Sequence, residues 1–351
     1  MRFLWAFLGW IGLFAGVLVT ALAVVNPRRE FSGTRFPALQ LDTRQIKGDL
    51  FDSSLVHEPP SGVIIGSSRS MNLPTDEFTS VTGERFFNFG VFNATIEDDL
   101  AIARYVLAKA PSVRNLVVGI DPQSFDAHIG PLPELTHNAR LSTALNGSVD
   151  SPLKRAIVVA RAYRDALTVS YLGDVIKSVR NAEHPPEPAY SFSAEGILQY
   201  PKADRERRSG TYNWQQHYAG CAAVQQSEFA TYDSLATSKR AMLDSLISEA
   251  TARGVHIVLW TPPFNPALAD ALRGKPVISA NYERVVSYLR SRARPPLVTM
   301  ADEDGTSNLP NPTGWYDCMH FDSTNAIAVA HSLATAVRDA NTGSTEAVAA
   351  R

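Results

Sequence analysis

Val63-Ile64-Ile65-Gly66-Ser67-Ser68-Arg69-Ser70 is the stretch that decides the fold. A short run of β-branched apolar residues ends at a glycine and is followed by hydroxyl residues, a pattern typical of a buried strand that runs into a tight turn. In an open α/β sheet, ligands bind beyond the carboxyl ends of the parallel strands. Ser68 can therefore present its hydroxyl to a crevice. The alternative is a structural turn in which one serine caps the following helix.

Four further apolar runs extend the same pattern along the chain. They alternate with amphipathic helix candidates, which predicts a parallel sheet with helices on both faces. The predicted strands after the first cover residues 85–89, 116–120, 255–260 and 297–300. We therefore expect an α/β domain over residues 61–338, with a three-layer, flavodoxin-like parallel sheet of about five strands.

A long segment, residues 125–226, interrupts this alternation. Ser151 and Pro152 are typical of a helix start, and a proline-rich segment follows later. We predict a helical and loop insertion that walls one side of the crevice, not a second domain. Its cluster of Arg205, Arg207 and Arg208 is expected on a solvated loop, with a docking site for an anionic glycan or a membrane partner as the alternative.

The N-terminal 27 residues indicate where the protein resides. Residues 3–25 are apolar and uncharged, and they have about the length that crosses a bilayer as a helix. A cleaved signal peptide is the alternative, although this apolar region is longer than is usual for one. The sequence predicts a single-pass anchor in a bacterial inner membrane, with the folded domain on the periplasmic or extracellular side. Residues 28–60 are predicted to form a stalk and residues 339–351 a disordered tail.

Composition excludes several kinds of partner. The formal net charge of -2 provides no electrostatic footprint for nucleic acid, so we expect no nucleic-acid partner. The histidines are scattered without metal-binding spacing, so we expect neither a metal nor another cofactor. Cys221 and Cys318 are interpreted as two thiols, because their separation in space is unknown, with one disulfide in an oxidising compartment as the alternative.

A carboxylate and a base follow the last predicted strand. Asp317 precedes His320 by three residues, a spacing that can bring the carboxylate to imidazole Nδ1 and leave Nε2 to accept a proton from Ser68. The spacing alone is weak, because it arises by chance in long chains and also suits a helix start. Its position adds weight, since residues after the first and last strands share the carboxyl edge of one sheet.

With these residues the chain resembles the SGNH (GDSL-like) hydrolase superfamily over roughly residues 63–337. It looks most like the membrane-anchored branch that handles acyl groups on cell-surface polymers, such as alginate acetylation proteins and the protein that assists D-alanylation of teichoic acids. The resemblance implies that Ser68 is the nucleophile, with Ser67 and Ser70 as alternatives. It also implies that His320 and Asp317 complete a catalytic triad.

The oxyanion hole of that family is matched only in part. The resemblance implies that the N–H groups of Ser68 and Gly90 hold the oxyanion. Where the family has an asparagine in its third block, this chain has Asp121, whose carboxylate would repel an oxyanion and is expected to brace the turn. Arg69 either balances that charge or faces solvent. Loss of the asparagine would cost on the order of 10²–10³ in rate unless Asn93 or Asn213 replaces it.

Three functions remain open from the sequence. The first is a serine esterase or O-acyltransferase acting on acyl esters of cell-envelope glycans, for which the resemblance also implies a membrane-bound O-acyltransferase partner. The second is a catalytically inactive SGNH-fold subunit that binds glycan or assembles a polysaccharide-modification complex. The third is an α/β domain without a triad. Candidate substrate contacts are Asn93, Asp121 and Trp315; core packing is the alternative for the tryptophan, as it is for Trp214.

Overall fold

A five-stranded parallel sheet forms the centre of this computed structural model, which describes residues 2–30, 36–149, 151–185, 187–230, 232, 234–301, 309, 311 and 313–349. The strands are β1 (Gly62–Gly66), β2 (Phe86–Asn88), β3 (Asn115–Gly119), β4 (Ser191–Phe192), β5 (Leu198–Gln199), β6 (His256–Trp260) and β7 (Val298–Met300). The sheet has the order β2-β1-β3-β6-β7, and β4 pairs with β5 in a separate antiparallel hairpin. The α/β class predicted from the sequence is confirmed.

Helices cover both faces of this sheet. In chain order they are α1 (Arg2–Val25), α2 (Thr43–His57), α3 (Thr75–Thr82), α4 (Ile96–Lys109), α5 (Pro133–His137), α6 (Ala139–Leu145), α7 (Pro152–Ala166), α8 (Val169–Arg180), α9 (Pro201–Ser209), α10 (Trp214–Ala230), α11 (Thr237–Thr251), α12 (Pro266–Arg273), α13 (Pro276–Arg292) and α14 (Ser323–Ala349), with a 3₁₀ turn at Pro122–Phe125. One hydrophobic cluster contains Val63 and Ile65, whereas Ile64 belongs to a second cluster. Because successive side chains of a strand point to opposite faces, β1 is buried on both sides.

The turn after β1 depends on a glycine. Gly66 has a φ of +136°, and a Cβ atom there would lie 2.5 Å from the carbonyl oxygen of Gly119 on the neighbouring strand. Only glycine adopts this backbone conformation without strain and leaves room for that close approach. The chain therefore leaves the sheet sharply at the point where Ser67 begins.

Helix α1 has the length and composition of a membrane span. Its residues Phe3–Val25 are long and apolar enough to cross a bilayer. Along most of the helix the large apolar side chains are exposed; that of Trp10, for example, is 72% exposed. Only its C-terminal end is buried, where Leu22 and Val25 pack with Tyr171 of α8.

Two segments predicted to lack structure contain helix instead. In the predicted stalk, α2 is capped by Asp42, buries Phe51 completely and pairs Arg44 with Asp98 at 2.7 Å. Its apolar periodicity is hidden because its buried face also carries charged residues such as Arg44. The predicted disordered tail continues α14 to Ala349, since extending an existing helix costs less than starting one. Residues 31–35 and 350–351 of these segments lie outside the described residues.

Candidate active site

The turn after β1 places Ser68 at the carboxyl edge of the sheet. Of the three serines in this turn, only Ser68 is within hydrogen-bond distance of an imidazole. Ser67 Oγ instead accepts the N–H of Arg69 at 3.3 Å. Ser70 is fully buried, and a Cβ atom added to Gly119 would meet its hydroxyl. The geometry therefore separates Ser68 from the two alternative nucleophiles.

A short loop before α14, residues 315–321 (the base loop), presents His320. It is closed by a hydrogen bond of 2.8 Å from the Tyr316 N–H to the His320 carbonyl oxygen. Asp317 Oδ2 lies 2.7 Å from His320 Nδ1, and His320 Nε2 lies 2.8 Å from Ser68 Oγ. The structure thus brings together a hydroxyl, an imidazole and a carboxylate, with serine and histidine 252 residues apart.

The aspartate of this loop orients the imidazole and does not cap a helix. Its Oδ1 accepts the N–H groups of Met319 and His320 at 2.9 Å each, whereas α14 is capped by Asp322. Burial acts to raise the pKa of Asp317, but the His320 imidazole and the two backbone N–H groups outweigh it and lower the pKa below its ordinary value. An ionised carboxylate at Nδ1 holds the proton there, so Nε2 can accept one from Ser68.

Two asparagines brace the serine turn, the segment that follows Gly66. Asn72 Nδ2 donates to the carbonyl oxygen of Phe321 at 2.8 Å, which ties the serine turn directly to the loop. Asn88 Nδ2 donates to the carbonyl oxygens of Ser70 and Leu73 at 2.8 and 3.2 Å. Sequence reasoning missed both bracing roles, because a single asparagine that bonds to a distant carbonyl leaves no local pattern.

The expected oxyanion donors differ in availability. Within the described part of the chain, the Ser68 N–H donates no hydrogen bond and is available. The Gly90 N–H donates to Asn88 Oδ1 at 3.0 Å, so it can hold an oxyanion only after the Asn88 amide turns away. Asn93 is exposed with a φ of 49°, and it makes no hydrogen bond to Ser68. Asn213 Oδ1 accepts the Gln216 N–H at the start of α10, away from the serine turn.

Asp121 is neutralised by a buried arginine. Arg69 Nη1 donates to Asp121 Oδ1 at 2.8 Å, and the two side chains are 0% and 8% exposed. The guanidinium also donates to the carbonyl oxygen of Pro262 and lies 4.0 Å from the ring centre of Phe264. Arg69 therefore does not face solvent, and the carboxylate braces the turns after β1 and β3 with its charge balanced.

The insertion contributes residues that pack on the base loop. The ring of Tyr200 lies 4.5 Å from that of Tyr316 and 6.5 Å from the imidazole of His320. Burial raises the pKa of Tyr200 well above its ordinary value, and the charge of Asp317 acts in the same direction. The Tyr200 hydroxyl is therefore uncharged at physiological pH, and its ring lies beside His320.

The arginine cluster of the insertion lies on a helix and not on a loop. Helix α9 carries all three arginines. Arg207 is half-buried; it pairs with Asp322 at 3.1 Å and stacks over Tyr316 at 5.4 Å. Arg205 and Arg208 are exposed. The expectation of a solvated loop thus fails for Arg207, which connects α9 to the base loop.

A disulfide joins the insertion to the base loop. Cys221 of α10 and Cys318 are bonded, with 5.7 Å between their Cα atoms. The interpretation as two thiols was therefore wrong, because 97 residues of sequence hid their proximity. Cys318 is fully buried and lies between Asp317 and His320 in sequence. Asp317 lies close enough to both sulfurs for a shared metal, but the sulfurs are already bonded to each other.

A cavity of about 600 Å³ lies next to the base loop. Tyr212 lines it and donates its hydroxyl to the carbonyl oxygen of Tyr316, while Trp214 borders it and stacks on Tyr218. Trp315 is fully buried against Phe321, so the substrate contact expected of it does not agree with the structure. The sequence could not decide which tryptophan was core and which bordered a cavity.

No protein-family model and no curated protein matches this sequence. Function is therefore inferred from the geometry. A nucleophile within hydrogen-bond reach of a base, with the base oriented by a third group, is the arrangement that activates a serine for acyl transfer.

Proposed function

We propose that this protein is a membrane-anchored SGNH-like serine esterase or O-acyltransferase that acts on acyl esters of cell-envelope glycans. The observation that supports it is the hydrogen-bonded line from Ser68 Oγ through His320 to Asp317, with contacts of 2.8 and 2.7 Å. Nucleophile, base and orienting carboxylate occur together in this geometry in acyl-transfer enzymes built on unrelated folds.

The reaction proceeds in two halves. Ser68 Oγ attacks the acyl carbonyl carbon while His320 Nε2 takes the hydroxyl proton, and the oxyanion forms beside the Ser68 N–H. The tetrahedral intermediate expels the alcohol, which receives the proton from His320 and leaves an acyl-serine. Water or a sugar hydroxyl then attacks this ester with His320 as base, which releases Ser68. Asp317 stabilises the imidazolium that forms in both halves.

Three features support an extracytoplasmic, membrane-bound location. Helix α1 is apolar enough to span a membrane. Its end packs into the folded domain, and Arg28 just beyond it pairs with Asp174 at 2.7 Å, which favours a retained anchor over a cleaved signal peptide. The Cys221–Cys318 disulfide is typical of an oxidising compartment. We propose that the domain lies on the periplasmic side of the inner membrane, where a membrane-bound O-acyltransferase is the partner that hands over the acyl donor.

The test is hydrolysis of p-nitrophenyl acetate and labelling by a fluorophosphonate, with the full-length protein in detergent micelles. We expect turnover and labelling in the wild type, and loss of both in Ser68→Ala and His320→Ala. Ser70→Ala is the matched control from the same turn; its hydroxyl is buried without a hydrogen-bond partner among the described residues, so activity should persist. Labelling of a serine other than Ser68 would contradict the assignment.

A non-catalytic glycan-binding or assembly subunit is the second candidate. It is favoured by the Gly90 N–H, which is already bonded to Asn88, and by Asp121 at the position where the resembled family has an asparagine. This candidate predicts that Ser68→Ala keeps glycan modification intact in cells. Loss of modification in cells that contain normal amounts of Ser68→Ala protein would exclude it.

A further inference from the structure

The outer faces of α7 and α8 carry apolar side chains that no other part of the described chain covers. Each helix has a buried face, which includes Val158 in α7 and Val175 in α8, and Val175 packs on Leu22 and Val25 of α1. Away from these buried residues, large apolar side chains are exposed on both helices: Leu153 (73%), Ile157 (51%), Val169 (87%), Ile176 (53%) and Val179 (46%). Exposed apolar side chains collected on two helices that both pack against the end of α1 indicate a binding surface and not a random distribution.

Basic residues border this apolar surface. Residues 152–180 contain six basic and two acidic side chains. Both acidic side chains have partners, because Asp165 contacts Arg164 and Asp174 pairs with Arg28. Arg161 and Lys177 are exposed beside the apolar stripes of their helices. The surface therefore carries a positive charge that complements an anionic layer.

The surface lies at the base of the membrane-spanning helix. Leu22 and Val25 at the end of α1 pack against Ala166, the last residue of α7, and against Tyr171 and Val175 of α8. Arg28 continues this contact, since its guanidinium lies 4.8 Å from the ring centre of Tyr171. The exposed faces of α7 and α8 thus begin where α1 would emerge from the bilayer.

We infer that α7 and α8 lie in the membrane interface, with their outer face inserted among the headgroups of anionic phospholipids. This inference rests on the proposed anchoring by α1. An apolar stripe bordered by Lys and Arg is typical of helices that insert about 5–10 Å into the boundary between headgroups and acyl chains. The position of this surface at the end of the apolar helix α1 favours lipid over a protein partner. With two attachments, the domain holds its serine crevice in one orientation towards the membrane.

Depth measurements by nitroxide labelling test this arrangement in the full-length protein. Both native cysteines are in the disulfide, so an introduced cysteine is the single labelling site. Labels at Ile157→Cys and Ile176→Cys are compared with Val277→Cys on α13, an equally exposed apolar position at 61%, and with Leu13→Cys in α1. The vesicles contain phosphatidylcholine alone or with phosphatidylglycerol, and no other protein.

We expect the labels on α7 and α8 to be more accessible to oxygen than to a nickel chelate, as at Leu13, whereas the Val277 label stays accessible to the chelate. Adding phosphatidylglycerol to the vesicles should increase the depth of the labels on α7 and α8 in the bilayer. The double substitution Arg161→Gln/Lys177→Gln should reverse that increase. Chelate-accessible labels on α7 and α8 beside a buried Leu13 label would overturn the inference and leave a protein partner as the occupant. A chelate-accessible Leu13 label would overturn the anchoring itself. Repeating the series in Ser68→Ala keeps the result independent of catalysis.

Discussion

Removal of the Cys221–Cys318 disulfide should destabilise the protein and loosen its base loop. The bond closes a loop of 97 residues. In the chain-entropy model, a closed loop of that length stabilises the folded state by about 4.7 kcal/mol at 25 °C. Native disulfides contribute about 2–5 kcal/mol when removed, so we expect a loss within that range for the double variant Cys221→Ala/Cys318→Ala.

Urea unfolding of the full-length protein in detergent micelles measures this loss. The midpoint should fall in the double variant and also in wild-type protein treated with dithiothreitol, which keeps both sulfur atoms in place. Agreement between the two assigns the effect to the bond and not to the missing sulfurs. A loss below about 1 kcal/mol with an unchanged m value would refute the reasoning.

Activity provides a second measurement on the same variants. Cys318 lies between Asp317 and His320 in sequence, so a loosened loop displaces the imidazole from Ser68. A displacement of 1 Å costs about 10²-fold in catalysis, so kcat for p-nitrophenyl acetate should fall by that order under conditions in which the variant remains folded. Full turnover and an unchanged rate of fluorophosphonate labelling after reduction would show that the hydrogen bonds of the loop hold it without the disulfide.

Three further perturbations test the site and the core. Asp317→Asn should lower kcat by about 10⁴-fold. Because the pKa of Asp317 is lowered in the folded protein, its carboxylate stabilises the fold above the unfolded pKa of about 3.9, and this stabilisation is lost as the pH falls through the folded pKa. Urea unfolding at a series of acidic pH values should therefore show a decrease in the free energy of unfolding of the wild type that the variant lacks. Glu97→Gln should lower the free energy of unfolding, measured in urea, by about 3–5 kcal/mol, because the buried Lys239 Nζ loses the carboxylate oxygen that lies 2.6 Å from it. Adding Lys239→Met should recover much of that loss. Gly66→Ala should abolish hydrolysis of p-nitrophenyl acetate, because the new Cβ would lie 2.5 Å from a β3 carbonyl oxygen. Gly83→Ala is the control: Gly83 has a φ of +72° and open space around it, so the free energy of unfolding should fall by only about 1–2 kcal/mol and kcat should stay unchanged.

The five strands of the central sheet and several helices could be predicted from the sequence because their patterns are local. Each strand of the central sheet is a short apolar run found within two residues of its expected position. The turn that presents Ser68 could be expected because Gly66 ends the first run. The pairing of Asp317 with His320 could also be expected, since three residues separate them and a single turn spans that distance.

Helix α2 and the continuation of α14 could not be predicted, because their stability comes from contacts with other parts of the chain or from simple extension of a helix. Arg44 and Lys47 of α2 are fully buried because their side chains have hydrogen-bond partners. Arg44 donates to Asp98, and Lys47 donates to the carbonyl oxygens of Asn88 and Gly196. A buried charge is indistinguishable from an exposed one in the sequence. Its partner lies tens of residues away, and only folding brings the two together.

By itself, the sequence determined the candidates: a serine after the first strand, an aspartate and a histidine after the last, and an apolar N-terminal helix. Only the tertiary structure decided that Ser68 meets His320, that Arg69 neutralises Asp121 and that a disulfide ties the insertion to the base loop. The physical reason is the range of the interactions. Strand, helix and turn preferences depend on neighbours within a few residues, whereas a site assembled from residues that follow the first and the last strands of the sheet depends on how all the strands align.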